Sequence, residues 1–113
     1  MLTPAAKNQA ANAITVDTIS LHSGAPGADG LANELPTAGA IYARKAIAFG
    51  AADDGVRQQS ADVLQDVPPG STVSHYVLWQ GATAKKIGAY PQAETYAAQG
   101  QHKTKAGTIT ING

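Results

Sequence analysis

The chain has 113 residues, no cysteine, and eight basic side chains against eight acidic ones, which excludes disulfides, thiolate catalysis and cysteine-ligated metals and leaves no net field for nucleic acid. Alanine supplies 23 residues, whereas valine, isoleucine, leucine and phenylalanine together supply 20; with no net charge, this composition indicates one folded domain with a thin core, of the kind that neighbouring copies help to stabilise. No apolar run approaches the roughly 18 residues of a membrane span, and the start lacks the basic and apolar regions of a signal peptide.

Thr3-Pro4 opens a helix, since Thr caps and Pro at the first position gives up an amide that would be unpaired anyway. Leu2, Ala6, Ala10, Ala13 and Ile14 then share one helical face, with Lys7, Asn8 and Asn12 elsewhere. Residues 1–14 are therefore expected to form a short contact helix, docked on its own domain or on a neighbouring subunit. Residues 15–22 are β-branched and nearly alternating, a strand with Ile19 and Leu21 on one side. Residues 23–40, rich in Gly and including Pro26, form a loop long enough to serve in binding or assembly.

Strands are expected at 41–49, 61–67, 72–80, 86–90 and 108–112, with a shorter one at 94–98. Asp53-Asp54-Gly55 and Pro68-Pro69-Gly70 supply turns. Segment 72–80 is the strongest strand and carries apolar residues on both faces, so it is expected to be covered on both sides. Short strands at this spacing place the chain in the all-β class, as an antiparallel, jelly-roll-like β-sandwich over 15–113 behind a short N-terminal α-helix.

Charge is sorted along the chain. Residues 1–66 hold four bases and seven acids, while residues 67–113 hold Lys85, Lys86, Lys103 and Lys105 against Glu94 alone. Such polarity suits copies that dock in register through complementary fields. Two lysine pairs do not make the basic stripe of a nucleic-acid binder.

Motifs for chemistry are missing. His22, His75 and His102 lie too far apart for a helical metal pair, which leaves a three-histidine site assembled in space, or convergence of one histidine from each copy around a trimer axis, as the arrangements to consider. Asp53-Asp54-Gly55 lacks the ligand spacing of a calcium loop, and Gly24, Gly27 and Gly30 fit no phosphate-binding pattern. No serine sits in a nucleophile elbow and no paired carboxylates stand out, so no catalytic, cofactor or metal residue is assigned. His22, at a strand end, is placed to anchor the Gly-rich loop. Tyr42 beside Arg44 is a pairing common at interfaces. Trp79 and Phe49 are expected to supply the bulk of the core.

The run Ile19-Ser20-Leu21-His22-Ser23-Gly24-Ala25-Pro26-Gly27, followed by Gly30, Asn33 and Glu34, resembles the opening of small bacteriophage virion proteins described as tail-fibre or minor tail proteins, especially of actinobacteriophages. Tyr42-Ala43-Arg44-Lys45-Ala46, the segment from Asp66 to Trp79, and Gly100-Gln101 with Gly107-Thr108-Ile109 resemble later parts of the same proteins in the same order. Ala25 stands where that family carries an acidic residue, and His102 stands where a Tyr often follows Gly-Gln-Gly. The resemblance implies a non-enzymatic virion component assembled in the host cytoplasm. It implies a multi-copy minor tail or tail-fibre protein, a homo-oligomer with a trimer as the first expectation, partnered by other virion proteins and touching the host surface. A capsid-surface decoration protein and a host-surface (glycan or protein) binding module are the alternatives. Leu2, Ala6, Ala10, His22, Pro26, Tyr42 and Arg44 are the candidate assembly residues.

Overall fold

In the computed structural model, which describes residues 1–105 and 107–110, one helix precedes eight strands. These are α1 (Pro4–Ala13), β1 (Thr18–His22), β2 (Lys45–Ala46), β3 (Val56–Gln58), β4 (Val63–Val67), β5 (Ser71–Gln80), β6 (Thr83–Tyr96), β7 (Gly100–Thr104) and β8 (Thr108–Thr110). A four-stranded sheet in the order β2-β1-β5-β6 is joined by the pairs β3-β8 and β4-β7. Every pairing is antiparallel. The fold is the all-β sandwich with one short N-terminal helix that the strand pattern predicts.

The core has two centres. Ile19, Ile47, Val63, Leu78 and Ile109 form one, flanked by Phe49 and Tyr76. Leu21, Leu35, Tyr42, Val67 and Val73 form the other, flanked by Tyr90 and Tyr96. Central strand β5 is covered on both faces, as its sequence predicts. Leu78 joins the first cluster, while Val77 and Trp79 lie beneath the loop after β1. Gly30 comes so close to them that a Cβ there would sit 3.1 Å from Val77 and 3.0 Å from Ala84. Gln65, fully buried, ties β4 to its neighbours by donating to the carbonyls of Ile19 (3.3 Å) and Ala43 (3.2 Å).

Several elements differ from expectation. The expected strand over 41–49 contributes only the two residues of β2. The segments expected at 86–90 and 94–98 are one 14-residue strand, β6. Val73 pairs with Glu94 and His75 with Ala89, so residues 90–93 stand against Ser74 alone. Pro91 sits in this bulge, on the edge strand of the sheet, where its missing N–H breaks no ladder. Asp53-Asp54-Gly55 is the turn its sequence predicts, and it is of a specific kind. Positive φ at Asp54 (49°) and Gly55 (77°), with mutual backbone hydrogen bonds between Asp53 and Val56, makes a two-residue hairpin that starts β3 at once. β7 was hidden because its inward residues, His102 and Thr104, are polar. Residues 111 and 112 of the last expected strand lie outside the described residues.

Helix α1 begins as its sequence predicts, with the Thr3 hydroxyl accepting from the Ala6 N–H at 3.2 Å. It docks on its own hairpin. Asn8 Oδ1 accepts from the Gly55 N–H at 2.7 Å and Asn12 Oδ1 from the Ala52 N–H at 2.9 Å, with Ala11 buried between them. At about 100° per residue these three lie on the side opposite Leu2, Ala6 and Ala13. The contact with the domain is therefore made by two amides, Ala11 and the last residue of the apolar stripe, Ile14, which packs on the first core cluster and whose carbonyl accepts from Arg57, while Leu2 and Ala13 stay exposed.

Candidate functional site

Four of the seven candidate residues converge on one place, beneath and beside the loop after β1. The loop is closed at its base by pairing of His22 with Glu34, and by the Ser23 N–H on the Asn33 carbonyl (2.8 Å) and the Leu35 N–H on the Leu21 carbonyl (3.0 Å). Inside, His22 Nδ1 lies 2.8 Å from the Ala32 carbonyl, Ser20 Oγ lies 2.7 Å from His22 Nε2, and Trp79 Nε1 donates to Ser20 Oγ at 2.7 Å. One assignment of protons satisfies all four groups. Nδ1–H donates to Ala32, Nε2 accepts from the Ser20 hydroxyl, and Ser20 accepts from Trp79. The imidazole is then neutral, in keeping with a pKa that burial pushes below 6.5 against the opposing pull of the Ala32 carbonyl and Glu34.

A serine within 2.7 Å of a histidine has the outline of a nucleophile and its base. Here both residues are fully buried and the third member is a carbonyl, not an acid. The pair can fasten the loop; no substrate can reach it. Pro26 is buried in the same wall.

Beside it, Glu34 collects three hydrogen bonds. Tyr42 Oη donates to Oε2 at 2.8 Å, Arg44 Nε to Oε2 at 3.0 Å, and an Arg44 terminal nitrogen to Oε1 at 2.8 Å. Tyr42 Oη also accepts from the Leu21 N–H at 3.0 Å, which fixes the ring against β1. Burial pushes the Glu34 carboxyl up, but the hydrogen bonds from Arg44 and Tyr42 outweigh it and hold the pKa below the usual value. Burial also raises the Tyr42 phenol. The Arg44 guanidinium lies over Trp79, 4.2 Å from the ring centroid. Tyr42 is 1% exposed and its ring is used within the protomer, while the Arg44 side chain, 33% exposed, still reaches the surface. The remaining candidates lie elsewhere: Leu2 is 41% exposed at the start of the chain, and Ala6 and Ala10 are half-buried on α1.

The open surface feature is on the other side of the sheet, along β6 and β7. A hollow of about 270 Å³ is lined by Tyr76, Tyr90 and Pro91 together with Thr104, Lys86 and Lys105. A second of about 490 Å³ shares Tyr90, Pro91 and Lys105 with it and adds Glu94, His102 and Lys103. Tyr90 packs between Tyr76 (5.1 Å) and His102 (4.7 Å), its ring tilted to both, and its hydroxyl meets Thr104 Oγ1 at 2.8 Å. Burial pushes the Tyr90 phenol up to about 12. His102 is 5% exposed, and its Nδ1 has no hydrogen-bond partner among the described residues. No group of three potential metal ligands occurs among the described residues.

Sequence reasoning did not single out Ser20, Glu34 or the β6–β7 residues. Glu34 faces its partners only because the loop returns on itself, and local spacing carries no sign of that closure. The basic bias of the C-terminal half was the available signal for the cleft. No curated protein and no solved structure matches the chain. A family model described as podophage GP4 fiber I protein gp80 matches residues 1–112. That places the protein among phage virion structural proteins of tail-fibre type, in a podophage family and not in the actinobacteriophage group its motifs resemble. The chain belongs to the podophage GP4 fiber I protein gp80 family.

Proposed function

We propose that this protein is a non-enzymatic, multi-copy building block of a tail fibre, held in the particle by contacts with copies of itself and with neighbouring virion proteins. The match of the fibre family over residues 1–112 carries this reading. Two features support it. The body is elongated, 47 × 26 × 25 Å, and β6 is an edge strand whose residues 83–89, ahead of the bulge, have no strand paired on their outer side among the described residues. The Leu2 side of α1 faces away from the hairpin that anchors the helix, and Leu2 itself is exposed.

Light scattering on the purified chain is expected to give a multiple of the 11.5 kDa protomer, with three copies as the first expectation. Leu2→Glu is expected to lower that mass while leaving the circular dichroism of the protomer unchanged. Mass spectrometry and labelling of purified particles are expected to find the protein at the tail. A monomer absent from the tail overturns the proposal, and a location on the head surface favours a decoration protein instead.

A further inference from the structure

The β6–β7 cleft has the make-up of a ligand site that the fibre assignment does not use. One end is aromatic, with Tyr76, Tyr90 and Pro91 as flat apolar faces beside the hydroxyl of Thr104. The other end is polar, with Lys103 and Lys105 beside Glu94, Gln92 and His102. The two hollows share Tyr90, Pro91 and Lys105, so they adjoin along these residues. Its size is that of small-molecule sites, which start at about 300 Å³.

The charged groups differ in how far they are already engaged. Lys86 donates to the Thr108 carbonyl and lies 6.0 Å over the Tyr76 ring, so it belongs to the wall. Lys103 holds Asp62 at 3.3 Å, in a half-exposed pair. Glu94 accepts from the Tyr96 hydroxyl at 2.8 Å. Lys105, exposed at the junction of the two hollows, makes no ion pair among the described residues. The His102 side chain makes no hydrogen bond among the described residues and lines the same wall, although it is 95% buried by its 5% exposure.

We propose that this cleft binds an anionic saccharide, with a sugar ring against Tyr90 and Pro91 and its acidic group at Lys105 and Lys103. A pyranose has an apolar C–H face suited to an aromatic or proline surface and a rim of hydroxyls suited to the exposed Gln92 and Glu94. The acidic substituent is matched to Lys105, which makes no ion pair among the described residues. An added peptide strand fits less well, because the bulge at residues 90–93 and Pro91 interrupt the β6 edge where the cleft opens. The biological setting, recognition of a host surface, rests on the fibre reading; the binding itself does not.

The full chain is titrated by heteronuclear NMR with a hyaluronan tetrasaccharide, with a phosphorylated mannose oligosaccharide, with neutral maltotetraose and with a tetraglutamate peptide. The expected result is a shift of the Tyr90, His102 and Lys105 amides with one or both acidic sugars, weakened by added salt. The carboxylate and phosphate arms identify which acid is preferred. Lys105→Gln is expected to lower affinity roughly tenfold, and Lys105→Arg to retain it. Both substitutions lie at an exposed residue, and the spectrum reports their folding directly. Equal binding of maltotetraose, tighter binding of the peptide at these residues, or no shift with either acidic sugar overturns the proposal. Absence of the protein from particles bears on the fibre reading alone and leaves the titration standing.

Discussion

Arg44 lies over the Trp79 ring, its guanidinium carbon 4.2 Å from the centroid, while the same group grips Glu34 with two hydrogen bonds. One side chain thus holds the return of the loop against the central strand of the sheet. Lysine can reproduce neither the two-pronged grip on a carboxylate nor the contact of a guanidinium with the ring. Arg44→Lys is expected to cost about 1–2 kcal/mol, a range kept low because the pair is partly exposed. Urea unfolding checks it. Arg44→Lys as stable as the parent removes the ring-contact argument.

Ser20 is the relay between Trp79 and His22. Ser20→Ala leaves the indole N–H and the imidazole Nε2 without partners in a sealed interior. A loss of about 2–6 kcal/mol is expected, from about 1–3 for each of the two buried unsatisfied groups. Hydrogen exchange is expected to speed up first at the Ser23 and Leu35 amides, which close the base of the loop. Uniform acceleration over the whole sheet would show that the network does not act through the loop.

Tyr76 and Gly88 pair across β5 and β6, and the tyrosine ring fills the space a side chain would take. A Cβ at Gly88 would stand 2.5 Å from the ring. Gly88→Ala is expected to destabilise by about 1–3 kcal/mol through overpacking. Tyr76→Leu in the same chain should recover part of that loss. A double-mutant cycle measures the coupling, and simple additivity would mean that the strand, not the ring, sets the requirement for glycine.

Acid should weaken the fold in two stages. Burial holds the His22 and His102 imidazoles below their ordinary 6.5, so the unfolded chain takes up protons that the fold refuses. Their contribution is complete above pH 6.5 and is lost as pH falls below it. Glu34, with its pKa held below the ordinary 4.5, adds stability above that value that is lost as pH falls through its folded pKa. Melting temperature measured from about pH 7.5 to 3.5 should show both losses. His102→Phe keeps a ring against Tyr90 and removes one titration, so its decline between about pH 6.5 and 5 should be shallower. An unchanged slope would leave His22 as the sole histidine responsible.

What the sequence made legible follows the hydrophobic pattern. β1, β4 and β5 alternate β-branched or aromatic residues, and the structure has them within a few residues of expectation. Thr3-Pro4 announced the helix start through capping chemistry. The docking side of that helix was hidden, because Asn8 and Asn12 attach it by capping backbone amides of the hairpin and apolar periodicity does not register amides. β7 was hidden for the same reason. The grouping of His22, Pro26, Tyr42 and Arg44 depends on Glu34 returning beside His22, a long-range closure. Each residue was chosen for a local cause, and their shared location emerged only from the fold.

The loop between His22 and Glu34 carries its own fastening. Its base is paired, its underside rests on Trp79 through Gly30, and its outer residues, including Leu31 at 60% exposure, touch little of the sandwich. Change at the crest is thereby uncoupled from the stability of the body. Substitution at the exposed Ala28 and Leu31 can therefore reshape the crest while the sandwich beneath stays the same, whereas Gly27 (φ 77°) and Asp29, whose carboxylate accepts from the Leu31 N–H, hold the crest's own shape.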